Sequence, residues 1–201
     1  MALINKTKKF IFIGNARCAS TSMYRELGNL SVNDETVWGG NGAPPNEYHM
    51  SLNDVLNQYS SFKDYFKFGF IRNTWARFLS AYFDFKKPTH CLYEHVSKYE
   101  SFESFCLNFT KDSVSNDIHY LPLYNQITVN GKIGLDFVGK FENISKDFEK
   151  ATEMFGSKTK LNTHFRKTNT SQNYKDYYNE ETKNIVAEFY QKDIELFGYE
   201  F

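Results

Sequence analysis

The chain has 201 residues, with 24 Lys plus Arg against 24 Asp plus Glu and a formal charge of zero. That length suits one domain, 1–201, around a single core, and the charge balance removes any bulk reason to expect nucleic acid or an anionic membrane as partner. Cys18, Cys91 and Cys106 are odd in number and far apart, which argues against a disulfide framework and offers no zinc-ligand spacing.

No stretch approaches the ~20 apolar residues of a membrane span. The opening "MALINKTKKFIFIGN" has too short an apolar run for a signal peptide. The expectation is a soluble, cytoplasmic protein with reduced thiols. Twenty Phe and 14 Tyr must supply much of the core.

In chain order, residues 9–13 ("KFIFI") predict a short buried strand, bounded by Lys and Gly. "STSMYRELGNL" predicts a helix, with hydroxyl residues at its start and Met23, Leu27 and Leu30 on one side. Residues 31–47, rich in Gly, Asn and Pro, predict a long loop. "SLNDVLNQY" predicts a helix capped by Ser51, and "YFKFGFI" (65–71) a second strand. "NTWARFLSAYFDF" predicts a helix with Trp75, Phe78, Leu79 and Tyr82 on one side. Residues 86–118 read as partly helical, and 135–142 ("LDFVGKFE") as a third strand. Ser145 is the expected cap of the next helix, with Asp147 and Glu149 in its first turn. Residues 157–178 read as an irregular polar loop. A long helix is expected from a cap at Asn179 to a stop at Gly198. Strands alternating with helices predict an α/β fold with a largely parallel sheet, whose ligands bind at the carboxyl ends of the strands.

Two segments occupy such ends. "GNARCASTS" follows the first predicted strand. A loop turning from a strand into a helix presents unpaired N–H groups that favour an anion. Ser20, Thr21 and Ser22 add hydroxyls, and Arg17 adds charge. Small side chains in a turn are also common without any ligand. The nucleoside-triphosphate pattern G-x-x-x-x-G-K-[ST] is absent, which disfavours ATP hydrolysis. The second segment, "RNTWAR", begins with Arg72 at the end of a predicted strand, and its charge must meet either a ligand anion or a carboxylate such as Glu142. Two anion-suited strand ends suggest a ligand with two separated anionic groups.

"FIFIGNARCASTSM" followed by "FGFIRNTWARFLSAY" resembles the two cosubstrate motifs of the sulfotransferases, especially the carbohydrate (heparan and chondroitin type) branch. The segments "DFVGKFENISKDFEKA" and "YYNEETKNIVAEFYQKDIELFGYEF" extend the resemblance over nearly the whole chain. It implies a three-layer, P-loop-like α/β fold with a central, mostly parallel sheet. It also implies 3′-phosphoadenosine-5′-phosphosulfate (PAPS) as cosubstrate, 3′-phosphoadenosine 5′-phosphate (PAP) as product, and no metal. The first motif resembles the 5′-phosphosulfate loop P-K-x-x-x-T-S, and the second the 3′-phosphate motif R-N-P-x-x-R-x-x-S-x-Y.

By position, the resemblance gives the 5′-phosphosulfate to the backbone of residues 17–22 (Arg17, Cys18, Ala19, Ser20, Thr21, Ser22), with the hydroxyls of Thr21 and Ser22. Arg72 and Ser80 take the 3′-phosphate. Arg166 and Lys167 in "HFRKTN" close over the nucleotide, or form an ordinary solvated basic loop. Thr74 replaces the usual Pro. Arg17 replaces a Lys that bridges the leaving oxygen, and its planar guanidinium does not readily give up a proton.

In the implied reaction the acceptor oxygen attacks in line while the protein positions the groups and stabilises charge. The resemblance implies a His or Glu between the two motifs as base, as in some branches of the family; His49 lies there and is the expected base, an unperturbed imidazole titrating at about 6.5. Glu47 is the second choice, and His119 and Gln126 are expected to contact the acceptor. The acceptor is a hydroxylated molecule, a glycan or a small metabolite. The shortness of the chain and the lack of an anchor suggest a bacterial or viral relative of the Golgi enzymes. The rival readings are a P-loop-like kinase and a module that binds PAP or PAPS without turnover.

Overall fold

In the computed structural model, which describes residues 2–39, 50–161 and 173–201, the chain opens with a hairpin. β1 (Ala2–Asn5) pairs antiparallel with β2 (Phe10–Ile13), the first predicted strand. Asn5 secures the turn: Oδ1 accepts the Lys8 N–H at 2.7 Å and Nδ2 donates to Ser31 Oγ at 2.9 Å. The α1 helix (Ser20–Leu30) follows as expected.

β3 (Thr36–Gly39) lies inside the stretch predicted as loop and pairs antiparallel with β1. β1 carries only a three-residue apolar run and β3 lies among Gly, Asn and Pro, so neither announces itself locally; β1 forms between β2 and β3, and β3 against β1. Next come α2 (Leu52–Gln58) and β4 (Phe66–Ile71). Ser51 caps α2 as predicted, in a reciprocal arrangement with Asp54.

α3 (Thr74–Phe85) is the second motif's helix. Residues 86–118 are indeed partly helical, with α4 (Tyr93–Ser97) and α5 (Phe102–Asn108). A short α6 (Leu123–Ile127) runs into a two-residue hairpin, β5 (Thr128–Val129) and β6 (Lys132–Ile133). β7 (Phe137–Lys140) is the third predicted strand.

α7 spans Ile144–Glu153, so Ser145 lies inside its first turn rather than capping it. Asn143 is the N-cap residue, without a side-chain bond, and the Asp147 carboxylate instead accepts the Lys140 N–H at 2.8 Å. A 3₁₀ turn at Tyr174–Tyr177 lies within the predicted polar loop.

The long C-terminal helix is two helices, α8 (Glu180–Phe189) and α9 (Gln191–Phe197). They break at Tyr190, whose buried hydroxyl donates to the Tyr120 carbonyl at 2.5 Å. The core's demand for that ring position overrides local helix propensity. Asn179 and Gly198 are the cap and stop expected of them.

The main sheet has the order β3-β1-β2-β4-β7. β2–β4 and β4–β7 are parallel, and β1 is antiparallel to both its neighbours. Four strands therefore run one way and β1 alone runs the other. The fold is mixed α/β, with a central, mostly parallel sheet flanked by helices.

The chain divides into two compact units. One takes the residues up to Ile71 and resumes at Leu123. Its sheet presents a phenylalanine face, with Phe12 against Tyr24 of α1 and Phe10 stacked on Phe155 at 4.3 Å. Gly139 is required there, because a Cβ would overlap the Phe70 ring. The other unit runs Arg72–Pro122 with the C-terminal segment. Its core gathers α3, α5 and α8 around Phe78, Phe105, Phe109, Tyr120, Val186 and Tyr190.

Candidate functional site

Gly14 starts the loop after β2 under a steric constraint. A Cβ there would overlap the Tyr24 hydroxyl, which bonds the Gly14 backbone. Burial pushes that phenol well above its ordinary range, the backbone bond acting in the opposite sense. Asn15 is buried, and its Nδ2 donates to the Phe70 carbonyl at 2.8 Å. Arg17 and Ala19 both sit in the left-handed region, at φ 64° and 62°. Such conformations cost of order 1 kcal/mol or more each for non-glycine residues, and persist where their surroundings impose them.

Between them, the Cys18 N–H donates to the Asn15 carbonyl at 3.3 Å and its Sγ reaches the Ala16 carbonyl at 3.6 Å. Helix α1 then begins at Ser20. Its N-cap residue, Ala19, gives no side-chain bond, and its first turn holds no acid. The Ser22 and Met23 N–H groups donate to the Ala19 carbonyl, at 3.0 and 3.2 Å, and a turn from a strand into a helix N-terminus is the kind of place that suits an anion.

The side chains assigned to the loop sort by burial. Cys18 is fully buried, Ser20 and Ser22 are buried, Arg17 and Ala19 are half-buried, and Thr21 is exposed.

β2 and β4 are parallel neighbours, with Ile13 beside Gly69, so their carboxyl ends lie side by side. Arg72 is the first residue after β4 and is 8% exposed. Asn73 caps α3: Oδ1 accepts the Ala76 N–H at 3.1 Å while Nδ2 donates to the Glu200 carbonyl at 2.9 Å. Thr74 is the first helical residue, a position where Pro fits because its missing N–H would have no intrahelical partner. Threonine there forgoes only Pro's fixed backbone.

Arg77 is fully buried. Its Nη2 donates to the carbonyls of His119 (3.0 Å) and Leu121 (2.9 Å), and its guanidinium lies 5.7 Å from the Tyr190 ring centre. This arginine of the motif secures the chain around His119. Ser80 is buried one turn further along α3. Asp117 Oδ1 accepts the His119 N–H at 2.9 Å and lies 2.6 Å from its Nδ1, which orients the imidazole.

The second unit thus holds Arg72, Ser80 and His119, and the first holds the loop and the buried Gln126 of α6. His49, Glu47, Arg166 and Lys167 lie outside the described residues. The roles of Gly14, Asn15 and Arg77 are not apparent from the sequence. A glycine directly after a buried strand is the one signal that pointed towards the first.

Among the described residues, no group of three or more His, Cys, Asp or Glu is placed to hold a metal ion. No helix among them is long and apolar enough to cross a membrane. The family model described as the Sulfotransferase family matches residues 1–200. No curated protein and no solved structure matches the chain. With the match covering all but the last residue, the chain belongs to the sulfotransferase family, whose general chemistry is sulfuryl transfer.

Proposed function

We propose that this protein transfers a sulfuryl group from PAPS to a hydroxyl of an acceptor, a carbohydrate or glycoconjugate, without a metal. The observation that carries the reading is the uncapped start of α1 behind the left-handed residues Arg17 and Ala19. The loop amides of residues 17–22 receive the 5′-phosphosulfate, with help from the hydroxyls of Thr21 and Ser22. Arg72 and Ser80 hold the 3′-phosphate, and Arg166 and Lys167 close over the nucleotide.

His49 takes the acceptor's proton as its oxygen bonds to sulfur, with Glu47 as the alternative base. The bond from sulfur to the bridging oxygen breaks, and PAP leaves with the electron pair, its charge stabilised by Arg17 and the loop amides. His119 and Gln126 position the acceptor. The whole chain, 1–201, acts as one catalytic domain in the cytoplasm.

The test is a thermal shift with PAP compared with Mg·ATP, followed by transfer of radiolabelled sulfate to a panel of hydroxylated acceptors. Stabilisation by PAP together with labelled product supports the reading, whereas stabilisation by Mg·ATP alone favours a kinase. Arg17 favours one other reading, a module that binds PAPS without turnover, because guanidinium does not readily release a proton to the leaving oxygen. Binding without label transfer to any acceptor identifies that case.

A further inference from the structure

Asn15 has no place in the roles assigned above, yet it ties the loop to the sheet. It is 3% exposed. Its Nδ2 donates to the carbonyl of Phe70, the penultimate residue of β4, and its own carbonyl accepts the Cys18 N–H. One residue therefore joins the loop after β2 to the carboxyl end of β4. Gly69 lies beside this bond: a Cβ there would crowd the Ile13 carbonyl oxygen at 3.0 Å and stand in ordinary contact with Asn15 Nδ2 at 3.7 Å.

The Cys18 bond falls between the two left-handed residues, Arg17 and Ala19, and so constrains the strained part of the loop. A residue serving stability alone would have its whole carboxamide satisfied. Here Oδ1 is buried with no hydrogen-bond partner among the described residues, an arrangement that disfavours the folded state.

We propose that Asn15 is a positioning residue for the donor loop, holding it in its anion-receiving shape before the nucleotide arrives. This rests on the reading of the loop as the 5′-phosphosulfate site. A loop that reaches this shape only part of the time binds its ligand more weakly by that fraction. The effect belongs to the 5′ end of the nucleotide alone.

The experiment measures affinities of wild type and Asn15→Leu for adenosine 5′-phosphate, adenosine 3′-phosphate and PAP by calorimetry. The variant is expected to bind the two 5′-phosphorylated nucleotides about tenfold more weakly, one buried hydrogen bond's worth, and adenosine 3′-phosphate as wild type does. Equal weakening for all three nucleotides, or no weakening, overturns the proposal.

A wild type that binds none of them overturns the reading of the loop instead. The tether is then tested by hydrogen exchange in the nucleotide-free wild type, which also serves if the variant fails to fold. The Cys18 amide is expected to be protected, and exchange at the free-chain rate overturns the proposal.

Discussion

The Tyr24 hydroxyl occupies the space that a Cβ on Gly14 would need. The ring also packs on Phe12, edge-on at 4.9 Å, and on Trp38 at 5.7 Å. Gly14→Ala must therefore push the tyrosine out of its seat or displace the start of the loop. A loss of about 2 kcal/mol is expected, the usual scale of overpacking. Urea denaturation checks it, and an unchanged midpoint would show that the close approach is not there.

Arg77 tests the difference between a motif residue and a ligand residue. Its Nη2 donates to the His119 and Leu121 carbonyls, so Arg77→Lys keeps the charge and loses the planar guanidinium that makes those bonds. We expect about 1–3 kcal/mol of lost stability, with PAP affinity of the folded protein unchanged. Thermal melting and calorimetry on the same sample separate the two. Lost PAP affinity at full stability would reassign Arg77 to the nucleotide.

Arg72 carries the opposite expectation. Arg72→Ala should weaken PAP far more than adenosine 5′-phosphate, by about tenfold or more for a charge-assisted contact. Competition binding with both nucleotides reads this directly. Equal losses would mean that Arg72 does not read the 3′-phosphate.

The chemistry is tested at Arg17 and His49. His49→Ala is expected to remove most transfer while leaving PAP binding nearly intact, and Arg17→Lys is expected to raise the transfer rate. Single-turnover label transfer measures both. Normal transfer by His49→Ala would move the base assignment to Glu47.

A pH prediction concerns Asp112. Burial alone would raise its carboxyl, but Lys98 Nζ at 2.5 Å, Tyr99 Oη at 2.6 Å and the Val114 N–H at 2.9 Å prevail and lower it to about 2. A carboxylate whose folded value is depressed contributes stability above its unfolded value of about 3.9, and that contribution fades as pH falls through the folded one. Asp112→Asn should therefore cost about 1–2 kcal/mol at neutral pH, Lys98 being partly in water. The gap should close between about pH 4 and pH 2. Denaturation curves across that range check it, and a gap that persists at the acid end would point to packing rather than charge.

Much of the fold was legible because its signals are local. The run 10–13 is apolar and flanked by Lys and Gly, Ser51 and Asn179 are capping residues, and Trp75, Phe78, Leu79 and Tyr82 recur at helical spacing. Each of these four is buried in the core of its unit. β1 and β3 were not legible, since Ala2–Asn5 offers only a three-residue apolar run and Thr36–Gly39 lies in a Gly-, Asn- and Pro-rich stretch that reads as loop. Ser145 illustrates a second limit: a capping residue in the right neighbourhood was passed over because α7 starts one residue earlier, at Ile144. The break at Tyr190 is a third, where a buried hydroxyl bond to Tyr120, 70 residues away in sequence, decides a helix boundary.

By itself, the sequence determined the order of the main strands and helices, the two motifs at the ends of β2 and β4, and the family, because periodicity, capping and motif spacing act over a few residues. Tertiary structure decided what the motif residues touch. It seated Arg77 on two carbonyls, bound Asn15 to Phe70, required glycine at position 14, and held Arg17 and Ala19 in left-handed backbone. Steric fit and hydrogen bonds of this kind are not encoded in local periodicity, and exist only once each unit is folded.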